Sequence, residues 1–383
     1  MPDWIRFAVG GAGNQLVGMG LGRFSYTLMI TPLIESGQLS TDQAGYVGAF
    51  NLFGFFIGIP VAPYLVRAVK EVPALRLCLI VSLICLIASI APWGFAWLAF
   101  WRFLVGMTMA VMMIYSLTVV TRYAPSDRLG AATGIVFTGV GIGVFISSMM
   151  VPCLLDYGLA AAWTGLALLG GAGTILGLWG WAGAPSNTAV SEPAAAEEIS
   201  HFSWPVIRLY AAYSCFSLGL VVPTIYWVDY AVRGLGHDKE FGGLLWALFG
   251  LGAVLATFLW GWLGDRLGLQ RAVSLVLFVL ALGIAALVLL PAVWMLVLAS
   301  LVVGTQPGFS AVVTARTRQV VGSDQMPKFW GGMTLVYGIA QTIGGFGYVK
   351  LFSVTGDYLP VFLVGAAAMA VGGLVSFSLK RNP

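Results

Sequence analysis

Charge is scarce in this sequence. Only 9% of the 383 residues are Asp, Glu, Lys or Arg, while 59% are hydrophobic. A soluble domain carries about 25% charged residues, so an ordinary water-exposed fold is excluded. A phosphate-cradling P-loop, a zinc-ligand spacing and a dinucleotide fingerprint are also absent. No cofactor and no metal site are therefore expected, and the chain does not read as an enzyme. Gly139-Val140-Gly141-Ile142-Gly143 imitates a phosphate loop, but it lies in an apolar run, where glycines mean close helix packing. The four cysteines, Cys78, Cys85, Cys153 and Cys215, all fall inside apolar runs and are expected to pack rather than form disulfides. No Asn-x-Ser/Thr acceptor occurs, which suits a bacterial inner membrane.

What the chain has in abundance is long apolar stretches. A helix needs roughly 20 apolar residues to cross ~30 Å of hydrocarbon. Twelve runs of that kind lie near 6–33, 40–66, 74–92, 95–121, 129–154, 160–182, 204–230, 241–263, 271–290, 292–314, 328–353 and 358–379. The class is an all-α membrane protein with twelve transmembrane helices. Basic residues then predict orientation, because they concentrate in cytoplasmic loops. Arg6, Arg67, Lys70, Arg76, Arg122, Arg128, Arg208, Arg266, Arg271, Arg316, Arg318, Lys328, Lys380 and Arg381 fall at ends on one side, against Arg233, Lys239 and Lys350 on the other. Both termini are expected in the cytoplasm, in a multi-pass protein of a bacterial inner membrane. The net charge of +4 is thus topological and implies no nucleic acid. Met1 to Arg6 leads directly into the first run with no small-residue cleavage site, and that run is expected to be retained.

The one sizeable polar stretch, residues 183–203, contains Pro185, Glu192, Pro193, Glu197 and Glu198 and reads as a flexible cytoplasmic linker. It divides the chain into six-helix bundles over 1–182 and 204–383. The halves echo each other. Arg102-Phe-Leu-Val-Gly106 aligns with Ser300-Leu-Val-Val-Gly304 at an offset of 198, and Val119-Val120-Thr121, Ser126-Asp127, Asp42 and Phe53-Gly54 have counterparts at similar offsets. A nearly constant offset predicts two parallel pseudo-repeats.

Between the eighth and ninth runs stands Gly261-Trp-Leu-Gly264-Asp265-Arg266-Leu-Gly268-Leu-Gln-Arg271. This G-x-L-G-D-R-x-G-x-x-R stretch resembles the loop signature of the major facilitator superfamily (MFS) of secondary transporters, and Arg102-x-x-x-Gly106-x-x-x-Ala110 resembles a second superfamily motif. The loop between the second and third runs keeps only Arg67 of the signature. Gly18-Met-Gly20-Leu-Gly22-Arg23-Phe-Ser-Tyr26-Thr27, with Gln43-Ala-Gly-Tyr46, is similar to the YbfB-like branch. The resemblance implies the MFS fold, alternating access, a small-molecule substrate and runs 1, 4, 7 and 10 lining a central cavity. It also implies a gating role for Gly261, Gly264, Asp265, Arg266, Gly268 and Arg271.

Two arginines, Arg23 and Arg102, lie inside apolar runs, where a charge is costly unless a polar cavity or a partner receives it. Their guanidinium forks suit a carboxylate, sulfonate or phosphate. With Tyr26, Thr27 and Met109 they form the expected substrate face, joined by Tyr226, Gln306 (which precedes the helix-disturbing Pro307) and Gln341. Asn51 reads as an interhelical hydrogen bond. Acidic residues are missing from mid-run positions; Asp229, near the outer end of run 7, is the candidate coupling carboxylate and alternatively a rim or gate residue. The expected function is secondary transport of a small organic, carboxylate-like anion by a monomer in the lipid bilayer, through proton symport or anion exchange. Proton-coupled efflux of drugs or metabolites and a non-transporting membrane sensor or scaffold are the alternatives.

Overall fold

In the computed structural model, residues 2–91, 93–125, 128–185, 201 and 203–377 are described. Ser126, Asp127, Lys380, Arg381 and most of the expected linker lie outside the described residues, as do the side chains of Ser323, Asp324 and Lys328. Among the described residues no strand occurs, and ten helices are individually long and apolar enough to cross a membrane. Two further spans complete twelve. Span 1 is divided into Asp3–Gln15, a π-helical stretch Leu16–Phe24 and Tyr26–Glu35. Span 11 follows a break at Gly322 (φ 78°, ψ 167°) inside the helix Pro307–Thr355. The remaining spans are Thr41–Val69 (2), Glu71–Ala88 (3), Phe95–Tyr123 (4), Leu129–Leu155 (5), Leu159–Gly180 (6), Trp204–Asp229 continued by the π turn Tyr230–Gly234 (7), Lys239–Leu267 (8), Leu269–Leu289 (9), Val293–Gly322 (10) and Tyr358–Ser376 (12).

Span 3 shows how the bilayer shapes these helices. Leu77, Ile80, Ile84 and Ile87 recur every three or four residues and are exposed, whereas Ser82, Cys78 and Cys85 are buried. An apolar stripe turned outward is stable only against lipid. Between helices, where lipid tails are as apolar as leucine, small residues permit the backbone approach that drives association. A methyl group on Gly54 would come 1.9 Å from the Phe103 carbonyl oxygen, and one on Gly106 would come 2.1 Å from the Asn51 carbonyl oxygen, so spans 2 and 4 meet backbone to backbone.

The halves repeat in local geometry at an offset of 198. Ser40 caps span 2 by accepting from the Gln43 N–H, and Asp238 caps span 8 by accepting from the Phe241 N–H. The turns before them share one bond, Leu39 N–H to Leu33 O and His237 N–H to Ala231 O, both 3.2 Å. Gly158 and Gly356, both at positive φ, precede spans 6 and 12. At this offset the counterpart of Asp42 is Glu240. Gly268 (φ 83°, ψ 141°) turns the chain between spans 8 and 9, and Lys70 (φ 69°, ψ 166°) makes the same turn between spans 2 and 3. The loop that has lost most of the signature therefore keeps its backbone shape.

By packing, the chain forms two compact units. One holds spans 1–6 with Thr224–Val254; the other holds the rest of spans 7 and 8 with spans 9–12.

Candidate functional site

In the first unit the site grows from the π-helical stretch of span 1. A π turn bonds i to i+5, as Ser25 N–H does to Gly20 O at 3.2 Å, and such turns are frequent at functional positions. Gly18, Gly20 and Gly22 let neighbouring spans close on this wide turn; a methyl on Gly20 would meet the Gly143 Cα at 3.0 Å. Its last residues, Arg23 and Phe24, are buried. The Trp246 indole donates to the Phe24 carbonyl at 3.0 Å, the Tyr26 hydroxyl donates to Ala44 O at 2.9 Å, and the Thr27 hydroxyl donates to Thr224 O. These bonds fix the turn's downstream end against spans 2, 7 and 8.

Arg23 then lines a cavity of about 20 Å³ with Tyr26, Gly48, Asn51, Leu52, Thr224 and Ile225. That volume holds about one water molecule. Arg23 supplies its positive charge, and no carboxylate lines it. The second intramembrane arginine is placed differently. Arg102 is 2% exposed; its Nη1 donates to Gly22 O at 2.8 Å, and its guanidinium carbon lies 4.4 Å from the Tyr26 ring centroid and 5.7 Å from that of Trp163. Arg102 thus holds the residue before Arg23 and backs the Tyr26 ring, while the cavity wall belongs to Arg23. The Asn51 amide donates to the Arg102 carbonyl at 3.0 Å, as an interhelical bond should, yet Asn51 also lines the cavity.

Of the other sequence-selected residues, Thr27 and Tyr226 are buried in the same unit outside the cavity lining, and Met109 packs against Gly18 of the π turn. Gln306 and Gln341 lie in the second unit. Gln306 is buried at the break between Gly304 and Pro307, and Gln341 donates to the Tyr337 hydroxyl at 2.8 Å. Asn51, Thr224 and Ile225 were not selected as site residues. Thr224 follows Pro223, whose missing N–H frees backbone acceptors in its helix, and that was the available signal.

Near the end of span 7, Asp229 is 1% exposed. It accepts from the Thr31 hydroxyl of span 1 at 2.9 Å, and Arg233 Nη1 lies 3.3 Å from both of its oxygens. Arg233 Nη2 reaches the Thr41 hydroxyl of span 2 at 3.3 Å. In the same unit, Lys239 of span 8 pairs with Asp156 at the end of span 5. Spans 1, 2 and 7 are latched through one carboxylate, and spans 5 and 8 through another.

At the opposite ends of the helices, the loop motif lies in the second unit with Asp265, Arg266 and Arg271 exposed and the Arg266 guanidinium 4.2 Å from the Trp262 ring. Gln270, unselected by its sequence, joins the motif to spans 10 and 12: it accepts from Arg316 at 2.5 Å and donates to Ser376 O at 2.9 Å. In the first unit Glu71 is 2% exposed and paired by both oxygens with Arg122, at 2.6 and 2.9 Å.

The fold is shared with solved peptide transporters. A point variant of the peptide transporter POT in complex with sulfate aligns over 97% of this chain and 93% of its own, with a TM-score of 0.76 and 14% identity. POT in complex with sulfate gives 0.73 at 16% identity (96% and 93%), and a variant in complex with alafosfalin gives 0.71 at 17% (96% and 93%). Identity this low carries the fold and nothing of the cargo. No curated protein matches the chain. The sequence profile described as "Uncharacterised MFS-type transporter YbfB" matches residues 15–377, and the chain belongs to that family of the major facilitator superfamily.

Proposed function

We propose that this multi-pass membrane transporter carries a small organic anion, with Arg23 as the group that receives its charge. The observation behind this reading is the water-sized buried cavity in which Arg23 faces Tyr26, Asn51 and Thr224 and no acidic residue. A guanidinium at membrane depth is costly unless a polar cavity or an anion receives it, and its planar fork matches a carboxylate with two parallel bonds. Leu52 and Ile225 give the wall an apolar side, which suits an acid with an apolar body over a sugar. Arg102 supports the site from behind by bonding Gly22 O.

A cavity of about 20 Å³ is too small for such a substrate, so the site must enlarge in the working cycle. Alternating access supplies that enlargement: the latch at Asp229 forms with this end shut and parts when it opens. The cavity offers no carboxylate for a proton, so the anion brings its own proton in symport or exchanges for another anion. The chain acts as a monomer in a bacterial inner membrane; both termini lie on the cytoplasmic side, which the distribution of lysine and arginine favours.

Uptake into proteoliposomes of labelled carboxylates, sulfonates and phosphates, with and without a proton gradient, tests this. One anion class should enter, with apparent affinity falling about 100-fold or more in Arg23→Ala, since losing a buried charged partner costs at least ~2–3 kcal/mol. Arg23→Lys should recover part of that loss, because it keeps the charge without the fork. Uptake unaffected by Arg23→Ala, or proton-driven movement of apolar cations in place of anions, would overturn the proposal.

A further inference from the structure

A second cavity, larger than the first and sharing no residue with it, lies at the end of the first unit where the latches are. It measures about 520 Å³, within the range of small-molecule sites. The ends of spans 1, 5 and 7 and the starts of spans 6 and 8 enclose it. Leu28, Val151, Pro152, Leu155, Val228 and Val232 make an apolar interior, and Glu35, Tyr157 and Lys239 stand among its polar residues.

The charges there are unequally engaged. Lys239 is held by Asp156 and lies 3.9 Å from Glu240. Glu35 is exposed and, among the described residues, has neither a hydrogen bond nor an ion pair. It also ends a helix with no basic residue in its last turn, where the helix dipole favours a cation. Around the cavity as a whole three helix C-terminal ends (Glu35, Leu155 and the π turn to Gly234) and two N-termini (Leu159, Lys239) meet, so the backbone leaves little net sign and what it leaves favours a cation. The carboxylate acts in the same direction. Tyr157, 82% exposed, adds an aromatic face, and aromatic faces attract ammonium groups.

We propose that this crevice binds an amphipathic organic cation, with its ammonium at Glu35 and Tyr157 and its apolar body over Leu28, Val151, Leu155, Val228 and Val232. The bound molecule touches spans 1, 5, 6, 7 and 8 at once, beside the Thr31–Asp229 bond. It wedges these span ends in the arrangement they already have, and so slows transport without competing for the Arg23 cavity. The binding stands whether or not the transported molecule is an anion; only the inhibition rests on that reading.

The test is equilibrium binding of tritiated 4-phenylbutylammonium to the full-length protein in lipid nanodiscs, with 4-phenylbutanol and 4-phenylbutyrate as neutral and anionic competitors. Binding should saturate, with the unlabelled amine competing, the alcohol weaker and the acid without effect. Glu35→Gln should weaken it about tenfold, the scale of one hydrogen bond to a charged group. Ala160→Trp, which fills the crevice from an exposed position, should abolish it, and Arg23→Ala should leave it unchanged. Glu35 and Ala160 are exposed, so both variants should fold, and a thermal melt checks that. Non-saturable binding, wild-type affinity in Ala160→Trp, or undiminished affinity in Glu35→Gln would each overturn the proposal. In proteoliposomes the amine should lower maximal anion uptake without shifting half-saturation. A competitive pattern would overturn the wedge, and a lack of anion uptake would count against the Arg23 reading alone.

Discussion

Thr31→Val is the smallest change that tests whether the span 1–span 7 latch sets the transporter's state. Valine keeps the shape of threonine and deletes the hydroxyl that donates to Asp229 at 2.9 Å. Both residues are buried, and Asp229 keeps Arg233, so the carboxylate is not stranded. A hydrogen bond to a charged acceptor contributes about 1.5–3 kcal/mol. The Arg233 side chain is 29% exposed, so water reaches part of the cluster and the low end applies. If the bond exists only while this end is shut, losing about 1.5 kcal/mol moves the closed-to-open ratio about tenfold. A population of about 99:1 would become about 91:9. Spin labels at Gln38 and His237, on the two loops beside the latch, read this by electron–electron distance measurement. Cys153 and Cys215 need replacing first, since Cys153 is exposed and Cys215 only part-buried while Cys78 and Cys85 are buried. The long-distance population should rise in Thr31→Val. An unchanged distance distribution in a folded variant would show that the bond is made equally in both states and does no gating.

Two stability predictions follow from backbone geometry. Lys70 holds φ 69°, ψ 166°, a conformation suited to glycine, so Lys70→Gly should relieve strain, stabilise the fold by about 1 kcal/mol after the entropy glycine loses on folding, and so raise the thermal midpoint in detergent; a lower midpoint would contradict the strain. Gly106→Ala puts a methyl 2.1 Å from the Asn51 carbonyl oxygen and should cost about 1–3 kcal/mol or more. Because Asn51 lines the Arg23 cavity, that variant should also weaken substrate affinity, and a wild-type midpoint with wild-type uptake would refute the close approach of spans 2 and 4.

The twelve spans were legible because a membrane helix announces itself by apolar length, which needs no knowledge of neighbours. Their ends were less so: span 8 runs Lys239–Leu267 where hydropathy gives 241–263, because helices continue past the hydrocarbon into polar residues. Arg23 was legible because a charge in an apolar run must be accounted for. Asn51 and Thr224 were not, since a polar side chain that bonds a helix neighbour and one that lines a cavity look alike in sequence. The π turn at Leu16–Phe24 was hidden for a different reason. Its wide bonding survives only because Gly143 and the Met109–Met112 stretch fit around it and Arg102 takes up the Gly22 carbonyl, and those partners are 80 residues or more away along the chain.

The repeat, read more strictly, would have recovered one feature that the motif obscured. Subtracting the offset of 198 from Gly268 lands on Lys70, and the same subtraction carries the motif's Asp265 onto Arg67. Lys70 keeps the positive φ of its counterpart without being glycine. Arg67 reverses the charge of its counterpart, and both are exposed. Backbone geometry thus persisted where the side-chain chemistry did not, because the short connection between two antiparallel helices dictates the turn whatever residues fill it. The first half's buried acid at this end is Glu71, one residue past the turn and held in place by Arg122. A negative charge so engaged is a brace between spans 3 and 4, whereas Asp265 stands exposed. The two turns therefore share a shape but not a charge arrangement, and a gating role assigned to the second does not carry over to the first.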